Sequence, residues 1–151
     1  MKKILCVAPE NVFSKTDIIN LESGLKTIFK KHYSATEKVV VIWMLMPEGY
    51  AFSERKASQA VIIMVEVNEG MEQKERENLM RIYSQFLLSS FNVSPLDSLI
   101  TVANSSFVNQ FFAAQRKRVR SQYRPIITLK LLYTALRTKL IHGYYKLKVS
   151  L

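Results

Sequence analysis

Three short runs in this chain are almost wholly apolar and rich in β-branched residues: residues 4–7, KVVVIWMLM at 38–46 and AVIIMVEV at 60–67. Each is closed by turn-forming residues: Pro9-Glu10, Pro47-Glu48-Gly49 and Asn68-Glu69-Gly70. Their length and composition predict buried strands. Between them the period changes. Ile18, Leu21, Leu25, Ile28 and Phe29 recur at helical spacing, with Glu22, Lys26 and Lys30 among them. Ser14 followed by Asp17 gives this helix a capping-box-like start, and the pattern fades near Tyr33, before a loop at 34–37. A polar loop over 50–59 follows the second strand. Residues 71–91 then form a second helix, with Leu79, Tyr83, Phe86, Leu87 and Phe91 on one face. A loop containing Pro95 leads to a fourth strand over 98–103.

The order strand, helix, loop, strand thus occurs twice. Pro9-Glu10-Asn11 precedes Asn68-Glu69-Gly70 by 59 residues, and Val39 precedes Leu99 by 60. This is the mark of a tandemly duplicated βαβ unit of about 60 residues. The strands within each unit are expected to be parallel. The predicted fold is α/β: a four-stranded sheet with two helices on one face. The runs at 38–46 and 60–67 are apolar on both faces, as in sheets covered on both sides. Two helices cover one side only. The other needs a second subunit or the rest of the chain.

Charge divides the chain at the same place as pattern. Of 151 residues, 1–112 hold 12 Lys/Arg and 12 Asp/Glu, whereas 113–151 hold ten Lys/Arg and no acid. The whole net charge of +10 therefore belongs to the tail. The division expected is a domain over 1–112, with units 1–59 and 60–112, and a basic helical extension over 113–151. Arg116, Lys117, Arg118, Arg120 and Arg124 cluster before Pro125, which suits a first helical turn. Ile126, Leu129, Leu132, Tyr133, Leu136 and Leu140 follow at helical spacing and stop at Gly143. Two readings stay open: a helix packing on the domain or a neighbouring subunit, and a helix presenting charge to a membrane surface or nucleic acid.

Composition excludes several classes. Cys6 is the one cysteine, so no intrachain disulfide forms, and its strand makes it a buried thiol. MKKILCVAP opens like a secretion signal, but its apolar run stops at Pro9-Glu10, short of the roughly 7–15 residues and cleavage site that a signal needs. The expectation is a cytoplasmic protein. His32 and His142 stand apart, without ligand or triad spacing. There is no glycine-rich phosphate loop and no metal cluster, so no metal and no cofactor is expected. Trp43 and Tyr50 read as core or interface aromatics, with a pocket wall as the alternative for each.

VEVNEGMEQKERENLM at 65–80 resembles the strand–Glu-Gly–helix segment of the tautomerase superfamily, the group of 4-oxalocrotonate tautomerase, 5-carboxymethyl-2-hydroxymuconate isomerase and macrophage migration inhibitory factor. KVVVIWM is similar to the second strand of the hydroxymuconate isomerase type, and PEGYAFSERKASQAVIIMVEV to the linker and third strand of two-unit members. The resemblance covers about residues 1–112. It implies a homotrimer whose sheets line an inner barrel, and an isomerase acting on a small carboxylate ligand. In that family an amino-terminal proline shuttles a proton between carbon and oxygen of an enol or keto acid, while arginines bind the carboxylate. Here Lys2 stands in the proline's place and Val61 at the matching point of the second unit. Val12 and Met71 replace the arginine after each Glu-containing turn. The resemblance then implies the Met1 amine and Lys2 as catalytic groups, and Lys38 and Tyr50 as substrate contacts. The alternative is a non-catalytic trimeric scaffold whose tail binds an anionic partner through Arg116, Lys117, Arg118, Arg120 and Arg124.

Overall fold

The structure, a computed structural model, describes residues 1–47, 52–53, 56–57, 59–118 and 121–148. The first unit is β1 (Lys2–Pro9), α1 (Lys15–His32) and β2 (Val39–Met46). A two-stranded ribbon, β3 (Phe52–Ser53) with β4 (Lys56–Ala57), occupies the polar loop. The second unit is β5 (Val61–Val67), α2 (Gln73–Phe91) and β6 (Ser98–Asn104). Then α3 (Ser105–Arg118) runs across the division at 112/113, and the rest of the tail forms α4 (Arg124–His142) and β7 (Tyr145–Lys148).

Within each unit the strands are parallel, β1 with β2 and β5 with β6. The units join by antiparallel pairing of β1 and β5, with Ile4 opposite Val65. The sheet order is β6-β5-β1-β2-β7. The four expected strands are all there, with two helices on one face. The fifth was not foreseen: β7 pairs in parallel with β2, Ile42 opposite Tyr145, and covers what would be an exposed edge.

Alternation along β1 turns Ile4, Cys6 and Ala8 to the helix side, where all three are fully buried. Val41 and Trp43 of β2 and Val61, Ile63 and Val65 of β5 join them against Leu21, Leu25 and Phe29 of α1 and Leu79, Tyr83 and Leu87 of α2. Burial lifts the Cys6 thiol far above its ordinary value, with the charge of Glu22 adding to it, so the thiol stays protonated and inert. The Ser14 hydroxyl accepts from the Asp17 N–H at 3.1 Å and the Asp17 carboxylate accepts from the Ser14 N–H at 3.0 Å, which completes the capping box. Gly24 is where α1 meets α2. A Cβ on that glycine would collide with the Phe86 ring.

The tail is bound at both ends. Leu5, Ala103 and Val108 are buried apart from the main core, at the end of the sheet's second face from which α3 departs. Gly143, at φ +85°, ends α4 and turns the chain so that Tyr144 enters the core. Lys146 then pairs with Glu10 at 3.0 Å, and Lys15 donates to the Ile141 carbonyl at 3.3 Å.

Candidate functional site

Register decides which candidate residues meet. Lys2 lies opposite Val39, and its backbone N–H donates to the Lys38 carbonyl at 2.7 Å. The chain start and the start of β2 are therefore neighbours. The Met1 amine stands 3.7 Å from the Glu37 carboxylate. Met1, Lys26, Lys30, Glu37, Lys38 and Val39 together line a cleft of about 400 Å³. Lys26 is held by Glu22, four residues back on α1. Four cationic groups thus border this cleft against one carboxylate, an arrangement suited to a small anion.

Two of the four expected catalytic and substrate-binding groups, the Met1 amine and Lys38, share this cleft. Lys2 does not. Its side chain is only 6% exposed and donates to the Ser105 hydroxyl at 2.6 Å. That hydroxyl lies 2.9 Å from Glu66 Oε1 and 3.0 Å from the Val67 carbonyl, with one proton to share between them. Glu66, on β5, is itself buried and accepts from Lys3 through the backbone N–H at 3.2 Å and the ammonium at 3.1 Å. Lys2 is therefore neither a solvated strand end nor a group in the cleft. It ties β1 to the first residue of α3. Tyr50 lies outside the described residues. Val12 and Met71 pack on the apolar core and bring no charge.

Sequence reasoning missed Lys26, Lys30, Glu37, Glu66 and Ser105. One signal was available: Lys26 and Lys30 are four apart and so share a face of α1. A second cleft, about 500 Å³, lies where α1 ends and α2 begins, and includes His32, Tyr33, Glu69, Met71 and Glu75. Its two carboxylates suit an anionic substrate poorly. Glu69 instead helps to fix the start of α3, where its carboxylate accepts from the Ser106 N–H at 2.8 Å. That backbone bond chiefly, then the Ser106 side chain and the charges of Arg76 and Lys2, hold its carboxyl below the ordinary 4.5.

Of the basic cluster, Lys117 and Arg124 are exposed. Arg116 and Arg118 belong to α3, but their side chains, like Arg120 as a whole, lie outside the described residues.

No protein-family model and no curated protein matches the chain. Solved structures do. The native Ps01740 protein superposes with a TM-score of 0.61 at 15% identity, over 70% of this chain and 96% of that one. N1, a member of the cis-3-chloroacrylic acid dehalogenase family, matches at 0.60 and 15%, over 68% and 73%. The R7 fused 4-OT, described as an asymmetric trimer, matches at 0.61 and 17%, over 68% and 85%. These neighbours are tautomerase superfamily members. The chain has the tautomerase fold.

Proposed function

We propose that this protein is a divergent tautomerase that moves a proton between carbon and oxygen of a small keto or enol acid. The observation that carries the reading is the cleft where the Met1 amine meets Lys30 and Lys38. With Lys26 already engaged by Glu22, the substrate carboxylate falls to Lys30 and Lys38. Lysine binds it as a point charge rather than as a guanidinium fork, which weakens orientation. The amine in its neutral form takes the carbon-bound proton and returns it to the other site. Water in the open cleft takes the proton that frees the amine, and Glu37, 3.7 Å away, holds the amine at the cleft. Tyr50 is proposed as a further substrate contact. Lys2 acts as a positioning residue, fixing the start of β1 through Ser105. The compartment proposed is the cytoplasm, which a lone buried thiol suits.

Decay of phenylenolpyruvate absorbance tests this. Turnover is expected to be slow but above the buffer rate, and Lys38→Ala should lower kcat/KM about tenfold or more, the cost of one charge-assisted contact. Turnover indistinguishable from buffer would end the catalytic reading.

A second reading keeps the fold as a scaffold whose basic tail binds an anionic partner, a nucleic acid or a membrane surface. The exposure of Lys117 and Arg124 supports it. Both readings use a homotrimer. Its support is the apolar second face of the sheet, where Leu99 is left 59% exposed, and the trimeric assembly of the fused 4-OT neighbours. Sedimentation equilibrium at micromolar concentration should give three times the chain mass of 17.5 kDa, and a monomer would overturn the assembly.

A further inference from the structure

We propose that the outer face of α4, with the groove between α3 and α4, seats the protein on an anionic phospholipid surface. The inference rests on the second reading above and names its partner. On α4, Thr134, Ala135, Thr138, Lys139 and His142 are half-buried and mark the inward side. The opposite side carries Ile126, Leu129, Tyr133, Leu136 and Leu140, at alternating steps of three and four residues. All five are more than half exposed, Leu129 at 69% and Leu140 at 87%. At 1.5 Å per residue the stripe is about 21 Å long. Lys130 and Arg137, seven residues apart, form a basic row beside it. The groove, about 610 Å³, is lined by Ala113, Lys117, Arg124, Pro125, Thr128 and Leu129. It sets two cations over an apolar floor and shares Leu129 with the stripe, so the charged and apolar surfaces are continuous.

Charge selects the occupant. Steps of three and four also describe a coiled-coil seam. A second copy of α4, however, would bring Lys130 and Arg137 against their own like, with no acid anywhere in 98–151 to answer them. Nucleic acid would use the cations but would leave four aliphatic side chains in water, with Tyr133 alone on the stripe able to stack on a base. An anionic bilayer surface answers both: phosphates meet the Lys and Arg heads, and the stripe enters the acyl boundary while those heads remain at the headgroups. Among the described residues no helix is long and apolar enough to cross a membrane, so α4 lies in the plane of the interface.

The test is co-sedimentation of the full chain with vesicles of phosphatidylcholine alone or mixed with phosphatidylglycerol, at low and high salt, beside a filter-binding assay with single-stranded RNA. Binding is expected to the mixed vesicles only and to fall with salt. It should weaken about tenfold or more in Leu129→Ser/Tyr133→Ser, and likewise in Lys130→Glu/Arg137→Glu. Both pairs are exposed, and circular dichroism should show them folded. Equal binding to both vesicle types would overturn the anionic assignment. RNA binding without vesicle binding would overturn the lipid assignment while keeping the second reading. Binding to neither would overturn both. Loss of the trimer in the Leu129→Ser/Tyr133→Ser variant without vesicle binding by the parent chain would show that the stripe joins copies of this protein instead.

Discussion

Trp43→Ala is expected to lower the free energy of unfolding by about 3–5 kcal/mol. Trp43 is fully buried and is among the largest side chains of the core. Its indole meets the Phe13 ring edge-on at 6.1 Å, and Phe13 meets Phe91 in the same way at 6.0 Å. The residue thus links β2, the entry to α1 and the end of α2. Alanine would leave a cavity against strands that cannot close on it. The indole N–H has no hydrogen-bond partner among the described residues. Trp43→Phe therefore removes volume but no bond, and should cost only about 1 kcal/mol. Urea unfolding followed by circular dichroism, at one fixed protein concentration because assembly contributes, measures both. Equal costs for the two variants would mean that a feature of the indole which a phenyl ring lacks, rather than filled volume, is what matters here.

Glu66→Ala is expected to cost about 2–4 kcal/mol. The Glu66 carboxylate is buried and answers the Lys3 backbone N–H, the Lys3 ammonium and the Ser105 hydroxyl, which in turn takes the Lys2 ammonium. Removing it leaves the Lys3 ammonium and the Lys3 backbone N–H without their acceptor, while the Ser105 hydroxyl can still donate to the Val67 carbonyl and accept from Lys2. Glu66→Gln keeps a carbonyl for the backbone donor but loses the charge, so it should fall between. Amide exchange gives a readout that a general loss of packing would not. The N–H groups at the start of α3 should open faster in Glu66→Ala, while Ile4 and Trp43 keep their protection. Unchanged exchange at Ser105 and Ser106 would show that α3 is docked by other contacts, the Glu69–Ser106 bond first among them.

The elements of both units were legible in the sequence because periodicity and capping are local. Ser14 and Asp17 fix the start of α1 wherever it packs, and four-residue spacing fixes its apolar face. The repeat followed from that, and with it the fold. The tail was legible only in part. Pro125 and Gly143 bounded α4 correctly, but YKLK is too short to announce a strand. It becomes one because β2 offers an open edge, and Tyr144 a core contact, more than a hundred residues away in the chain. Gly24 gave no sign of its role, since only the approach of α1 to α2 puts the Phe86 ring there. At the site, Lys38 was named through the resemblance alone, and the register of the folded sheet set it beside the chain start. The direction of Lys2 was not legible in the sequence. Tertiary structure alone turned it toward Ser105, 103 residues on, and brought Lys26 and Lys30 of α1 over the Met1 amine. Local chemistry set which segments form; the meeting of charges from distant segments required the chain to close on itself.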